Sequence, residues 1–296
     1  MGAISCVVGY VFAGFELNLP LKSTILVGTA GMKRIPAVEL CNVSYVADGR
    51  KILQSIHWTV QKGENWAILG PNGSGKTTLL NIACGYLWPN AGGEVYRRGK
   101  VLTNLPELRK SIGWVTSTLA AQIPAREKVI RTVVSGKFAQ IGYVEGFGGE
   151  ATRADYRRAE KFLQQMGCAY LRDQEFGTLS QGEQQKALIA RALMVKPYLI
   201  ILDEPCAGMD PGARENFLDT LRQLGRQPRI PSLIFVTHHV EEILPQFHRT
   251  LVLKDGRAIY AGATRKVLTS GLLEELYGIS LRIVKSGGRY WPRVKR

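Results

Sequence analysis

Nine consecutive residues, Gly70, Pro71, Asn72, Gly73, Ser74, Gly75, Lys76, Thr77 and Thr78, combine the types and spacing that a phosphate chain needs. Gly70, Gly75, Lys76 and Thr77 fit the pattern G-x-x-x-x-G-K-[ST]. The glycines let backbone N–H groups close around an anion. Lys76 brings a point charge to the β- and γ-oxygens, and the Thr77 hydroxyl is a ligand for Mg2+. An apolar strand precedes the loop and a helix follows, so the helix N-terminus faces the anion.

Two carboxylates complement this loop. "LIILDEP" places Asp203 and Glu204 after four apolar residues, at the carboxyl end of a buried strand, where ligands of α/β sheets sit. Asp203 would hold Mg2+ through water, and Glu204 would orient or deprotonate an attacking water. The competing reading, a strand-end turn before Pro205, leaves the apolar run unexplained. His238 ends another apolar strand, "SLIFVTH", at the same edge. His239 competes with it, and the strand-end register favours His238.

A second phosphate surface is encoded further on. In "LSQGEQQKALIARAL", Ser180 and Glu183 form the capping box S-x-x-E at the start of an amphipathic helix. Gln181 and Gly182 complete its first turn. A helix start with free N–H groups and a small hydroxyl also suits an anion.

The elements that must position these residues follow from periodicity. Residues 37–46 alternate as a half-buried strand does. "ADGRK" supplies a turn, and 36–70 reads as an antiparallel β lobe running into a buried strand at Trp66–Leu69. A helix is expected over 77–85 and a strand over 112–115. Helical periods then dominate 118–178, with a Gly-rich break at 146–149. Next come a helix (181–195), a strand (198–205), a helix (211–225), a strand (232–238) and a helix from Val240. Such alternation predicts an α/β fold around a mainly parallel sheet. "KDG" and "SGG" each sit between alternating runs, so hairpins are expected at 250–262 and near the C-terminus. No internal repeat or low-complexity tract stands out.

Bulk properties set outer bounds. The 296 residues allow about two domains. The net charge of +15 calls for an acidic partner, whether nucleic acid, nucleotide or an anionic membrane face. Beyond Glu275 there is no acid, while Arg282, Lys285, Arg289, Arg293, Lys295 and Arg296 are basic. Cys6, Cys41, Cys84, Cys168 and Cys206 are scattered without metal or disulfide spacing, so reduced thiols in a cytosolic setting are expected. The longest apolar run, 3–15, falls short of the about 20 residues a spanning helix needs. Residues 1–31 are expected to form a loose extension, with Met32 reading as a domain start. A membrane-touching or targeting segment is the rival reading for them.

Over residues 36–262 the chain resembles the ABC ATPase family. "GPNGSGKTT" looks like its Walker A, "LSQGE" its signature, "LIILDEP" its Walker B, "AGMD" its D-loop and "VTH" its switch histidine. The resemblance implies a P-loop core at 32–262 with a helical subdomain near 118–178, followed by a C-terminal helix and basic hairpin at 263–296. It implies ATP and Mg2+ as cofactors. It also implies a sandwich dimer, homo- or heteromeric, in which each ATP lies between one subunit's Walker A and the other's signature. Ser180 and Gly182 would then contact the γ-phosphate bound by the partner, His238 the one bound in cis, and Asp210 would signal across the interface.

Departures from the family pattern are local. Thr116 and Ser117 stand where the Q-loop usually has its glutamine, and Gln122 lies further along. The usual position of the adenine-stacking aromatic aligns with Ala47. Tyr45, two residues earlier on the same strand face, either substitutes for it or packs. "GWVTS", "GYLWP" and "VTHHVEEI" resemble a branch grouped with molybdenum-transport and photorepair-type proteins.

The expected function is the ATP-hydrolysing subunit of a transporter, peripheral on the cytoplasmic membrane face and driving a separate integral membrane subunit through the helical subdomain. A soluble ATPase acting on nucleic acid or ribosomes is the alternative, motivated by the basic end with Tyr290 and Trp291. Nucleic acid is the less favoured partner, because the coiled coils or second nucleotide domain of such proteins are missing. A P-loop kinase would leave the signature and switch histidine without a task.

Overall fold

A computed structural model of the chain describes residues 35–101, 104–146, 149–228 and 230–295. The expectations for residues 1–31 and for Cys6 lie outside these residues. The described chain begins with β1 (Val38–Ala47) and β2 (Arg50–Val60), paired antiparallel from Val38↔Val60 to Ala47↔Arg50. Asp48 and Gly49 join them, both with positive φ (48° and 72°), which matches the right-handed twist of a hairpin. β3 (Trp66–Leu69) and α1 (Lys76–Ala83) follow. β4 (Glu94–Arg97) then returns beside β1, so the lobe is a three-stranded sheet of order β2-β1-β4.

The chain continues through α2 (Leu105–Lys110), β5 (Ile112–Thr116), α3 (Ser117–Gln122), α4 (Val129–Ser135), α5 (Arg153–Gln165), α6 (Gln181–Leu193), β6 (Leu199–Asp203), α7 (Pro211–Gly225), β7 (Ser232–Thr237), β8 (Arg249–Lys254) and β9 (Arg257–Ala263). The central sheet has the order β5-β6-β7-β3-β8-β9, parallel except for the edge strand β9. Its inner strands read as unbroken apolar runs because both faces are covered. Alternate residues feed two cores. Ala67, Leu69, Ile200, Leu202, Leu233 and Phe235 face the helices, while Trp66, Ile68, Leu199, Ile201, Ile234 and Val236 face α1 and the β lobe. The sheet is therefore clamped from both sides, and its carboxyl edge is a rigid base for side chains.

Helices α3, α4 and α5 occupy the stretch expected to be helical, and α5 starts with a complete Thr152–Asp155 capping box. The helix expected from Val240 is instead a single 3-10 turn, Val240–Glu242. Ile243 is already extended (φ −73°, ψ 106°), and Leu244 precedes Pro245, which disfavours helical backbone before it. Ile243, Leu244 and Phe247 are buried in the helix-side core, so packing holds this segment without helical periodicity. After β9 come α8 (Thr264–Val267) and α9 (Ser270–Tyr277), then the hairpin β10 (Leu281–Ser286) and β11 (Arg289–Val294), as expected from "SGG".

Candidate active site

β3 delivers the chain into the loop 70–75, and α1 carries it away. Gly75, the residue before α1, has φ 98°. A Cβ there would stand 2.8 Å from Leu53 Cδ2 and 3.0 Å from the Ile52 carbonyl oxygen. A Cβ on Gly70 would meet the Leu253 carbonyl oxygen at 2.4 Å. The loop is thus wrapped tightly between β2 and β8, and Gly256 N–H donates to the Ser74 carbonyl (3.3 Å). No side chain caps α1 and its first turn has no acid, which leaves N–H donors and a positive dipole end for an anion. Among the described residues none bonds the buried Ser74 hydroxyl.

Lys76 is 6% exposed and curls over the loop, donating to the carbonyls of Gly70 (2.9 Å) and Pro71 (3.0 Å). Its Nζ lies 3.5 Å from Glu204 Oε1. Glu204 follows β6 in the left-handed region (φ 48°), and its N–H donates to the Val236 carbonyl at 3.0 Å. That bond, on the neighbouring strand β7, fixes where the carboxylate points. His238, just past β7, places Nδ1 3.3 Å from Glu204 Oε1. His239 lies against His238 with ring centroids 4.1 Å apart and planes tilted by 39°, and turns its own Nδ1 to Glu241 (3.5 Å). The strand-end register therefore gives His238 the position at the carboxylate.

Asp203 is the last residue of β6. Burial pushes its carboxyl up to about 6; the neighbouring Glu204 charge adds to this and Lys76 opposes it. Such a carboxylate suits a bound cation, which would hold it ionised. Asp203 and the Thr77 hydroxyl line the same cleft and are hard oxygen donors, the kind Mg2+ takes. The residues present fit the metal.

The cleft encloses about 1200 Å³ and includes Lys76, Thr77, Thr78, Ser117, Asp203 and Glu204. Asn72 and Gly73 also line it. Thr116 accepts from Leu119 N–H (2.9 Å) and caps α3, so its hydroxyl is taken. Ser117 begins α3 and Gln122 ends it, yet both line the cleft. Ile52 also lines the cleft, unannounced by any pattern. Tyr45 does not; it is half-buried against the core of the β lobe.

The capping box expected at the start of α6 is formed, and Gln181 shares a smaller pocket with Ser117 and Glu204. Ser180 and Glu183 make the full capping box, with Ser180 N–H (3.0 Å) and Oγ (2.8 Å) donating to Glu183 Oε2. Tyr170 donates to the other carboxylate oxygen at 2.8 Å. Burial pushes Glu183 up, but the bonds from Ser180 and Tyr170 outweigh it and hold the carboxyl below its usual range. Ser180, Gln181, Gly182 and Glu183 do not line the main cleft. With its amide nitrogen turned to the chain beyond Glu204, Gln181 donates to the carbonyls of Ala207 (3.2 Å) and Gly208 (2.6 Å). Asp210 caps α7, accepting from Gly212 (2.8 Å) and Ala213 (2.9 Å). Cys41, Cys84, Cys168 and Cys206 are free thiols.

Comparison with known proteins matches residues 53–207 to a family model described as ABC transporter. An uncharacterized ABC transporter ATP-binding protein of Bacillus subtilis, YlmA, is 39% identical over 250 residues, covering 83% of this chain and 93% of its own. Among solved structures, a subunit of the cbiONQ ABC transporter complex of Clostridium perfringens superposes with a TM-score of 0.69 at 27% identity, over 81% of this chain and 93% of that one. A dimeric ATP-binding cassette in a post-hydrolysis state, bound to ADP and Pi, gives 0.62 at 26% identity, over 76% of this chain and 98% of that one.

Proposed function

The chain belongs to the ABC transporter ATP-binding family, and from that premise we propose that two copies close around two ATP molecules and that their closing and reopening drives a separate integral membrane subunit. It is an ATPase of that family; the residue roles are our own reading. The loop N–H groups and Lys76 hold the β- and γ-phosphates, and Asn72, Gly73 and Thr78 line the same cradle. Mg2+, held by Thr77 and Asp203, would neutralise the phosphate charge. Glu204 orients the attacking water and accepts its proton, and His238 contacts the γ-phosphate. Ser180 and Gly182 of the partner subunit close the site from the other side, with Asp210 at the interface. Ile52, which lines the cleft, supports the base, while Tyr45 packs in the β lobe.

One observation carries this: Glu204 Oε1 lies 3.5 Å from Lys76 Nζ and 3.3 Å from His238 Nδ1, so phosphate cation, base and switch histidine meet at one sheet edge. A general base must sit within reach of the proton it takes, and this edge holds it there.

No helix among the described residues is long and apolar enough to cross a membrane, so transport needs a partner. The helical region 118–178 would be its dock, and the chain would sit peripherally on the cytoplasmic face. Nucleic acid as the partner gains no support from the relatives. Of the basic C-terminal residues, Arg289 and Lys295 are already paired with Glu215 and Glu274.

The test is Glu204→Gln. Hydrolysis should fall at least about 100-fold while ATP still binds, because the base is lost and the phosphate contacts remain. Light scattering should then show an ATP-dependent dimer, and mild-detergent capture an integral membrane protein. A variant that turns over ATP like wild type removes Glu204 from the mechanism. Capture of nuclease-sensitive ribosomes or nucleic acid alone would overturn the transport role.

A further inference from the structure

The switch histidine is held from outside the ATPase core. His238 and His239 link β7 to a single 3-10 turn at Val240–Glu242, and a short turn alone gives a side chain little support. Within the core, Thr237 Oγ1 donates to Glu242 Oε2 (2.6 Å) and accepts from His239 N–H (2.9 Å). Two further bonds come from beyond β9. Tyr277, the last residue of α9, donates its hydroxyl to the His238 carbonyl at 2.8 Å. Arg289, the first residue of β11, donates Nε to the Glu241 carbonyl at 2.5 Å.

We propose that α9 and the β10–β11 hairpin form a brace that positions His238 for ATP hydrolysis, with Tyr277 and Arg289 as its positioning residues. The proposal rests on the reading of His238 as the γ-phosphate contact. Neither residue lines the nucleotide cleft, so neither is a catalytic residue.

The chemistry of both fits the task. Arg289 is 5% exposed, and its two remaining guanidinium nitrogens bind both oxygens of Glu215, at 2.5 and 3.2 Å. Only a planar fork serves a carbonyl and a two-oxygen carboxylate at once; lysine cannot. Glu215 lies in the second turn of α7, the helix that Asp210 caps. Arg289 therefore ties the histidine turn to the helix that follows the D-loop. Burial, with the Glu241 charge adding to it, pushes the Tyr277 phenol well up, so it stays a hydrogen-bond donor.

The brace is itself anchored. Leu273, Leu276 and Leu281 enter the helix-side core. Glu274 Oε1 accepts from Leu281 N–H (2.9 Å) and Lys295 (3.0 Å), and Ser270 Oγ accepts from Ile283 N–H (3.0 Å), folding the hairpin onto α9. A support this well fixed can hold a reacting group to within the fraction of an ångström that hydrolysis rewards.

The test is a double-mutant cycle on the full-length ATPase, comparing wild type, Tyr277→Phe, His238→Ala and the double variant, with Arg289→Lys as a second probe. Tyr277→Phe should lower kcat about tenfold, with KM for ATP and Tm little changed, and should cost nothing further in the His238→Ala background. Arg289→Lys should show the same split between kcat and KM. Wild-type kcat in both single variants overturns the brace, as does an equal loss from Tyr277→Phe in both backgrounds, and either result leaves the His238 assignment standing. A fully active His238→Ala overturns that assignment, and the brace with it.

Discussion

Gly73 and Gly75 both have positive φ, 79° and 98°, but they are not equivalent. A Cβ on Gly73 meets nothing within 4 Å, whereas on Gly75 it collides with Leu53 and the Ile52 carbonyl. Gly73→Ala should therefore cost folding stability only the backbone strain, about 1–2 kcal/mol, and leave ATP affinity nearly unchanged. Gly75→Ala must also move β2 or the loop, and should weaken ATP binding more than tenfold, above about 1.4 kcal/mol. Titration with a fluorescent ATP analogue separates them; equal losses would mean that the collision is relieved without cost. The placement of the loop, Asp203 and Glu204 was legible in the sequence because each motif is written in a few adjacent residues. His238 was legible because its strand ends at the same edge as Glu204. Tyr277 and Arg289 were not, since no local pattern aims a side chain at a carbonyl 39 or 48 residues away.

The start of α6 combines two duties in one residue. Ser180 caps the helix and faces the proposed interface, so Ser180→Ala should lower stability by about 1 kcal/mol, read from the shift in denaturant midpoint. The hairpin responds to acid. Hydrogen bonds from Arg289 hold Glu215 below its usual range. A depressed carboxyl adds stability above its unfolded value, near 4.5, and loses it as pH falls through the lower folded value. Amide exchange across 281–294, corrected for intrinsic rates, should therefore rise between about pH 6 and about pH 3.5 in wild type and much less in Glu215→Gln. An identical rise in both proteins would show that Glu215 does not hold the hairpin. At this scale, alternation and turn residues were sufficient for β1, β2, β8, β9 and the C-terminal hairpin. They failed after Val240, where Pro245 and buried apolar residues give a helix-like composition without a helix.

In the whole molecule, Ser180 and Gly182 do not line the cleft of the phosphate loop, and in the proposed dimer they would complete the partner's site. This predicts complementation. Lys76→Ala and Ser180→Arg should each be inactive alone. Mixed, they form one intact site in each mixed dimer and should recover about a quarter of wild-type ATPase by random pairing. No recovery would mean that the signature does not act in trans.

The brace also has a consequence in time. Translation makes the phosphate loop first, then Glu204 and His238, and Arg289 about fifty residues later, several seconds at the usual pace of about 5–20 residues per second. A nascent chain thus acquires the means to grip a nucleotide before it acquires the support that makes its histidine effective.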